Sequence, residues 1–144
     1  PLLGRITPSL GALPLPDDGA AYRNFLRAVE RRIGEGHTVV IYPEAHIWPY
    51  YTGVRPFSDA SFIYPVKHKC PVSAFFTAYT KPKGFLSLFR KANMTVYVSD
   101  PIYPDEGLND REARANLRDK VYAFMLEKSK LSDYEAIKYI KKKP

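Results

Sequence analysis

The residues best placed to do chemistry are Tyr42, Pro43 and Glu44, a carboxylate at the end of an apolar run, and the His46 to Phe62 segment that follows. That segment holds Trp48, Tyr50, Tyr51, Arg55 and Phe57, an unusual density of aromatic and polar groups for a connector. Glu44 can accept hydrogen bonds from a bound polar group, or from backbone amides of its own loop. Arg55 can grip a phosphate or form a surface ion pair. His46 has proton-transfer chemistry but no partner at a telling spacing, so it reads first as a hydrogen-bonded loop histidine. Trp48, Tyr50 and Tyr51 either line a cleft or pack the loop. Cys70, the single cysteine, precedes Pro71 at the start of an apolar run and reads as a small core residue without thioester chemistry.

These groups need elements to hold them. Tyr22, Phe25, Leu26, Val29 and Ile33 share one helical face, which predicts an amphipathic helix over Ala20 to Gly36 with Asp17 or Asp18 as its cap. The β-branched run Thr38–Tyr42 follows and predicts a strand buried on both faces, as parallel strands covered by helices are. Ligands bind at the carboxyl ends of such strands, where Tyr42-Pro43-Glu44 falls. Val72–Phe76 and Met94–Val98 predict two more strands, separated by a turn at Lys81–Gly84 and the basic-aromatic stretch Phe85–Lys91. Asn109 with Glu112 forms a capping box ahead of a helix whose apolar stripe is Ala113, Leu117, Val121, Phe124 and Met125. The expected fold is therefore α/β, with a partly parallel central sheet flanked by helices. The opening segment Pro1–Asp18, with its apolar piece Gly11–Leu15, reads as irregular, and 131–144 as a basic tail that ends in a solvated helical turn.

The chain of 144 residues is 45% hydrophobic and 14% aromatic, enough for one domain with a true core and too apolar for disorder. A single cysteine forms no internal disulfide, and no zinc-type Cys/His cluster is present, which points to a reducing compartment. The apolar runs fall far short of the ~20 residues of a membrane-spanning helix. The formal charge of +7 favours anionic partners such as lipid headgroups, phosphates or nucleic acid without choosing among them.

Tyr42-Pro43-Glu44, after an amphipathic helix and the turn Gly36-His37-Thr38-Val39, resembles the Phe-Pro-Glu-Gly-Thr-Arg motif of the 1-acylglycerol-3-phosphate acyltransferases, within the phospholipid/glycerol acyltransferase family. Gly53, Pro56-Phe57, Ala60-Ser61-Phe62, Pro71-Val72 and Asp100-Pro101-Ile102 look like later positions of the same family, so the likeness covers about Ala20 to Lys128. The resemblance implies an acyltransferase domain over residues 1–130. It would move a fatty acyl group from acyl-CoA or acyl-carrier protein to a lysophospholipid or glycerol-phosphate hydroxyl, with no metal or prosthetic group. It implies work at an anionic membrane surface, on its cytoplasmic face or anchored through segments outside these residues. It also implies a substrate-binding set of Tyr42, Pro43, Glu44, Ala45, His46 and Arg55, and no nucleic-acid partner.

The chain departs from the family in two ways. The His-x-x-x-x-Asp pair, whose histidine takes the acceptor's proton, is not present: five residues beyond His37, His46 and His68 stand Tyr42, Tyr51 and Ser73. In the family that pair lies upstream of the helix before the Pro-Glu strand, so the chain reads as a C-terminal part of the domain with no catalytic residue of its own. The motif's glycine, threonine and arginine are replaced by Ala45, His46 and Ile47, and Gly11-Ala12-Leu13-Pro14 at best echoes a second motif without its arginine. Arg55 or His46 then has to supply the phosphate contact. The competing reading is a non-catalytic basic module binding anionic lipid or nucleic acid, carried by the charge and the stretch Phe85–Lys91. A hydrolase would need a nucleophile elbow, which is not found here.

Overall fold

The structure, a computed structural model, describes residues 11, 13, 18–89 and 91–140. Most of the opening segment, including most of Gly11–Leu15, lies outside the described residues, as do Arg90 and Lys141 to Pro144. The chain divides into two compact units, residues 1–41 and 42–144.

The first unit carries helix α1, Gly19–Gly34, within two residues of its predicted limits. The Asp18 carboxylate accepts from the Ala21 amide at 2.7 Å and satisfies an otherwise orphaned donor of the first turn. Gly36, at φ 79°, turns the chain out of the helix in a conformation that costs glycine little. Of the predicted stripe, Val29 is buried and Phe25, Leu26 and Ile33 are half-buried, whereas Tyr22 is exposed. The strand expected over Thr38–Tyr42 does not form: these residues are extended, pair with no strand among the described residues, and leave Val40 71% exposed. β-branched composition makes a segment fit for a sheet, but a strand exists only beside a hydrogen-bonding neighbour, and none is seen here.

The second unit is a small α/β assembly. A 3₁₀ turn, Ala60–Phe62, runs into the short helix α2, Ile63–His68. Strands β1, Phe75–Thr80, and β2, Asn93–Val98, pair antiparallel with Phe75 opposite Val98 and Thr80 opposite Asn93. Helix α3, Asp110–Ser129, closes the unit, and its Asn109 cap accepts from the Glu112 amide at 3.1 Å as the capping box predicts. The parallel central sheet expected from the sequence is therefore not what the described residues form. Val72, predicted to begin a strand, makes only an isolated antiparallel bridge with Ile102.

Alternation along β1 decides the core. Phe76 and Ala78 face inward with Ala74, and meet Leu117, Val121 and Met125 of α3 together with Phe57 and Phe62. Leu117 is 0% exposed. The opposite face carries Phe75, Met94, Val96 and Val98, all exposed, because one helix covers one side of a two-stranded sheet and nothing among the described residues covers the other. β1 buries its inward face, whereas no residue of β2 is buried and its inward side is half-buried only at Asn93 and Tyr97. The segment from 131 to 140 is not helical, contrary to expectation; it returns along β1, where the Tyr79 carbonyl accepts from the Asp133 amide and the Tyr79 amide donates to the Ser132 hydroxyl.

Leu117→Ala should cost about 2–5 kcal/mol of stability in urea unfolding, the range for deleting a fully enclosed leucine. Val40→Thr should stay within about 0.5 kcal/mol. A loss at Val40 comparable to that at Leu117 would mean that the 38–42 segment is core after all.

Candidate functional site

The six residues singled out from the sequence lie in the second unit, and the structure brings most of them into one closed loop. The Tyr42 carbonyl accepts from the Ala45 amide at 3.2 Å and the Glu44 carbonyl from the His46 amide at 2.8 Å, so the chain doubles back tightly around Pro43 and Glu44. Ala45 takes φ 62°, the left-handed region, which costs a side chain with a Cβ roughly 1–2 kcal/mol. Tyr50, at φ 60°, is strained in the same way.

Arg55 holds this turn from eleven residues downstream. Its backbone amide and its Nε both donate to Glu44 Oε2 at 3.2 Å, and its Nη2 donates to the carbonyl oxygens of Glu44, at 2.7 Å, and His46. The two side chains are about one-fifth exposed, so the ion pair is shielded from water without being sealed from it. A planar guanidinium suits this task, since it can serve a carboxylate and two carbonyls at once, which an ammonium on a flexible stem cannot do in the same geometry. The Arg55 guanidinium carbon also lies 4.7 Å from the centre of the Trp48 ring.

The aromatic residues continue the assembly. Trp48 stacks on Tyr139 at 4.9 Å, and Tyr51 meets both rings edge-on at 5.3 and 5.5 Å. The Tyr139 hydroxyl donates to the Pro49 carbonyl at 2.8 Å. Gly53 is required here by close approach: a Cβ at that position would lie 2.9 Å from the hydroxyl of Tyr51, whose ring is already held. Tyr50 packs on Tyr79 of β1 at 5.5 Å, and Lys91 lies 5.9 Å from the Tyr50 ring. Burial, and then the neighbouring Tyr50, push the Tyr79 hydroxyl above its ordinary pKa.

Glu44 and Arg55 thus meet as each other's partners: the sequence left each open between a ligand contact and a structural one, and the contacts seen are structural, a loop amide donating to Glu44 and an ion pair for Arg55. His46 lends its carbonyl to the clamp and exposes its side chain. Tyr42 is exposed and Pro43 half-buried. The residues Phe57, Phe62, Val72 and Ile102, which carried part of the family likeness, serve the core and the bridge that frames it. Cys70 is half-buried and its thiol is pushed up in pKa by that burial, which disfavours the thiolate a nucleophile would need. Sequence reasoning missed Tyr139, Ser132 and Asp133, assigned to a tail; an aromatic residue among lysines was the only available signal. A hollow of about 220 Å³ lies away from the loop, between α2 and the start of α3, lined by Val66, Lys69, Tyr103, Glu106 and Leu108. Among the described residues no group of three His, Cys, Asp or Glu side chains is arranged to hold a metal ion.

What the loop can do follows from its contacts. It offers a carboxylate and a guanidinium, fixed by one another, at the edge of an aromatic wall, an arrangement able to orient a polar or phosphorylated group.

Because Ala45 occupies a backbone conformation that glycine adopts freely, Ala45→Gly should raise stability by about 1 kcal/mol in urea unfolding. A loss of stability would show that the turn is not held in the left-handed region.

Compared with family models, curated proteins and solved structures, the chain matches none.

Proposed function

We propose that these residues form the acceptor-binding side of a glycerolipid acyltransferase, transferring a fatty acyl group from acyl-CoA or acyl-carrier protein to the hydroxyl of a lysophospholipid or glycerol-phosphate acceptor. The observation that carries the reading is the Glu44–Arg55 clamp. The family motif that Tyr42-Pro43-Glu44 resembles continues with glycine and later an arginine, and this chain has Ala45 and Ile47 there. Yet Ala45 adopts the positive φ that a glycine would, and Arg55 brings a guanidinium back to the same turn. In this reading the turn at Ala45 and the guanidinium of Arg55 take the places of the motif's glycine and arginine.

In this reading Glu44 holds Arg55 so that its guanidinium fork is oriented before the acceptor arrives, and the acceptor's phosphate approaches the exposed side of that fork. Trp48, Tyr50 and Tyr51 flank the headgroup. The hydroxyl's proton goes to a histidine paired with an aspartate, supplied from outside these 144 residues, and the hydroxyl oxygen attacks the thioester carbonyl carbon, expelling the thiol. The same positive charge would favour an anionic lipid surface. The reading of the chain as a basic binding module that acts on no substrate remains the alternative, favoured by the exposed lysines and phenylalanines at one end of the sheet.

The test is acyl transfer to lysophosphatidate. The 144 residues alone should show no turnover of acyl-CoA. In a protein carrying them behind a His-x-x-x-x-Asp segment, transfer should appear, and Glu44→Ala should lower it by roughly a hundredfold, the scale of a lost positioning contact. Transfer by the bare chain, or undiminished transfer in the Glu44→Ala variant, would defeat the reading.

A further inference from the structure

We infer that the tip joining β1 to β2 is a membrane-docking element that inserts two phenylalanine rings into a bilayer bearing anionic lipid. The inference goes beyond acyl transfer and does not depend on it. The tip is built by a 3₁₀ turn, Phe85–Leu88, entered through Gly84 at φ 73° and closed by the Ser87 amide donating to the Gly84 carbonyl at 3.0 Å. Spaced four apart, Phe85 and Phe89 bring their rings to 6.1 Å, and they are 79% and 76% exposed. Two large rings left in water side by side at a loop tip mark an interaction surface rather than ordinary scatter.

The surrounding charge selects the partner. Lys81, Lys83 and Lys91 are exposed and flank the rings in sequence, and no carboxylate occurs anywhere between Asp59 and Asp100 in sequence. Asp133 reaches this end of the sheet, where it accepts from the Lys81 backbone amide at the base of the tip. Exposed apolar rings in a stretch whose only charges are positive match the boundary between acyl chains and anionic headgroups: the rings enter the hydrocarbon edge while the ammonium groups stay at headgroup level. Lys91 also lies beside Tyr50, so a tip seated on a bilayer would hold the Glu44–Arg55 loop near lipid headgroups.

The experiment is co-sedimentation of the chain with phosphatidylcholine vesicles containing phosphatidylserine, and with vesicles of phosphatidylcholine alone. Binding is expected to the mixed vesicles, weakened by salt, and reduced at least tenfold in partition coefficient by Phe85→Ser with Phe89→Ser. Both side chains are exposed, so the circular dichroism of the double variant should match the parent. Phe75→Ser, an equally apolar exposed position on the outer sheet face, should leave binding unchanged. Undiminished binding of the double variant, or equal loss with Phe75→Ser, would overturn the inference. So would binding to single-stranded RNA without binding to vesicles, or lipid-independent dimerisation abolished by the same double substitution. None of these readouts involves acyl transfer, so failure here and failure of the enzymatic reading are separate results.

Discussion

The contact between Glu44 and Arg55 closes the 42–55 loop on itself. The loop begins with no sheet to anchor it, since Thr38–Tyr42 is extended without a strand partner among the described residues. It ends firmly, because Phe57 and Phe62 are core residues, the Phe57 carbonyl accepts from Arg118 at 3.4 Å, and Asp59 lies 3.9 Å from Arg114 of α3. Arg55, two residues before the buried Phe57, transfers that anchorage backwards to the turn at Glu44. An interaction that closes a loop of this length offsets part of the entropy of ordering it. It also holds two strained residues, Ala45 and Tyr50, in a region they would otherwise leave.

The aromatic wall depends on that closure and on the far end of the chain. Trp48 contacts Arg55, Tyr51 and Tyr139, so the loop, the clamp and the returning 131–140 segment share one ring. Ser132 and Asp133 fix the same segment to the edge of β1, which keeps Tyr139 within reach of Pro49. The edge of a strand that would otherwise present unpaired backbone groups is partly occupied, and the occupant positions the wall. The loop is thus supported from three directions: by the clamp within it, the core after it, and the 131–140 segment beside it.

Local patterns were legible in the sequence and long-range pairings were not. The two long helices follow from apolar periodicity and from Asp18 and Asn109 as caps, because both signals lie within a few residues of what they specify. β2 matched its predicted span almost to the residue, while β1 formed three residues later than its apolar run suggested, with Val72 diverted into a bridge to Ile102. Thr38–Tyr42 has the composition of a buried strand, but burial depends on neighbours that composition does not name. The site residues Glu44 and Arg55 stood out by type, and their mutual pairing did not, since eleven residues of irregular chain carry no period from which a contact could be read. Tyr139 is ninety residues from its hydrogen-bond partner Pro49, beyond any local rule.

Glu44 and Arg55 act as one unit. A double-mutant cycle with Glu44→Gln and Arg55→Gln, measured by urea unfolding and followed through the fluorescence of Trp48, the sole tryptophan, tests it directly. A coupling energy of about 1–3 kcal/mol is expected, because each single variant leaves the other group half-buried without its partner. Additive effects, agreeing to within about 0.5 kcal/mol, would show that the two side chains hold the loop independently and would remove the clamp from the account.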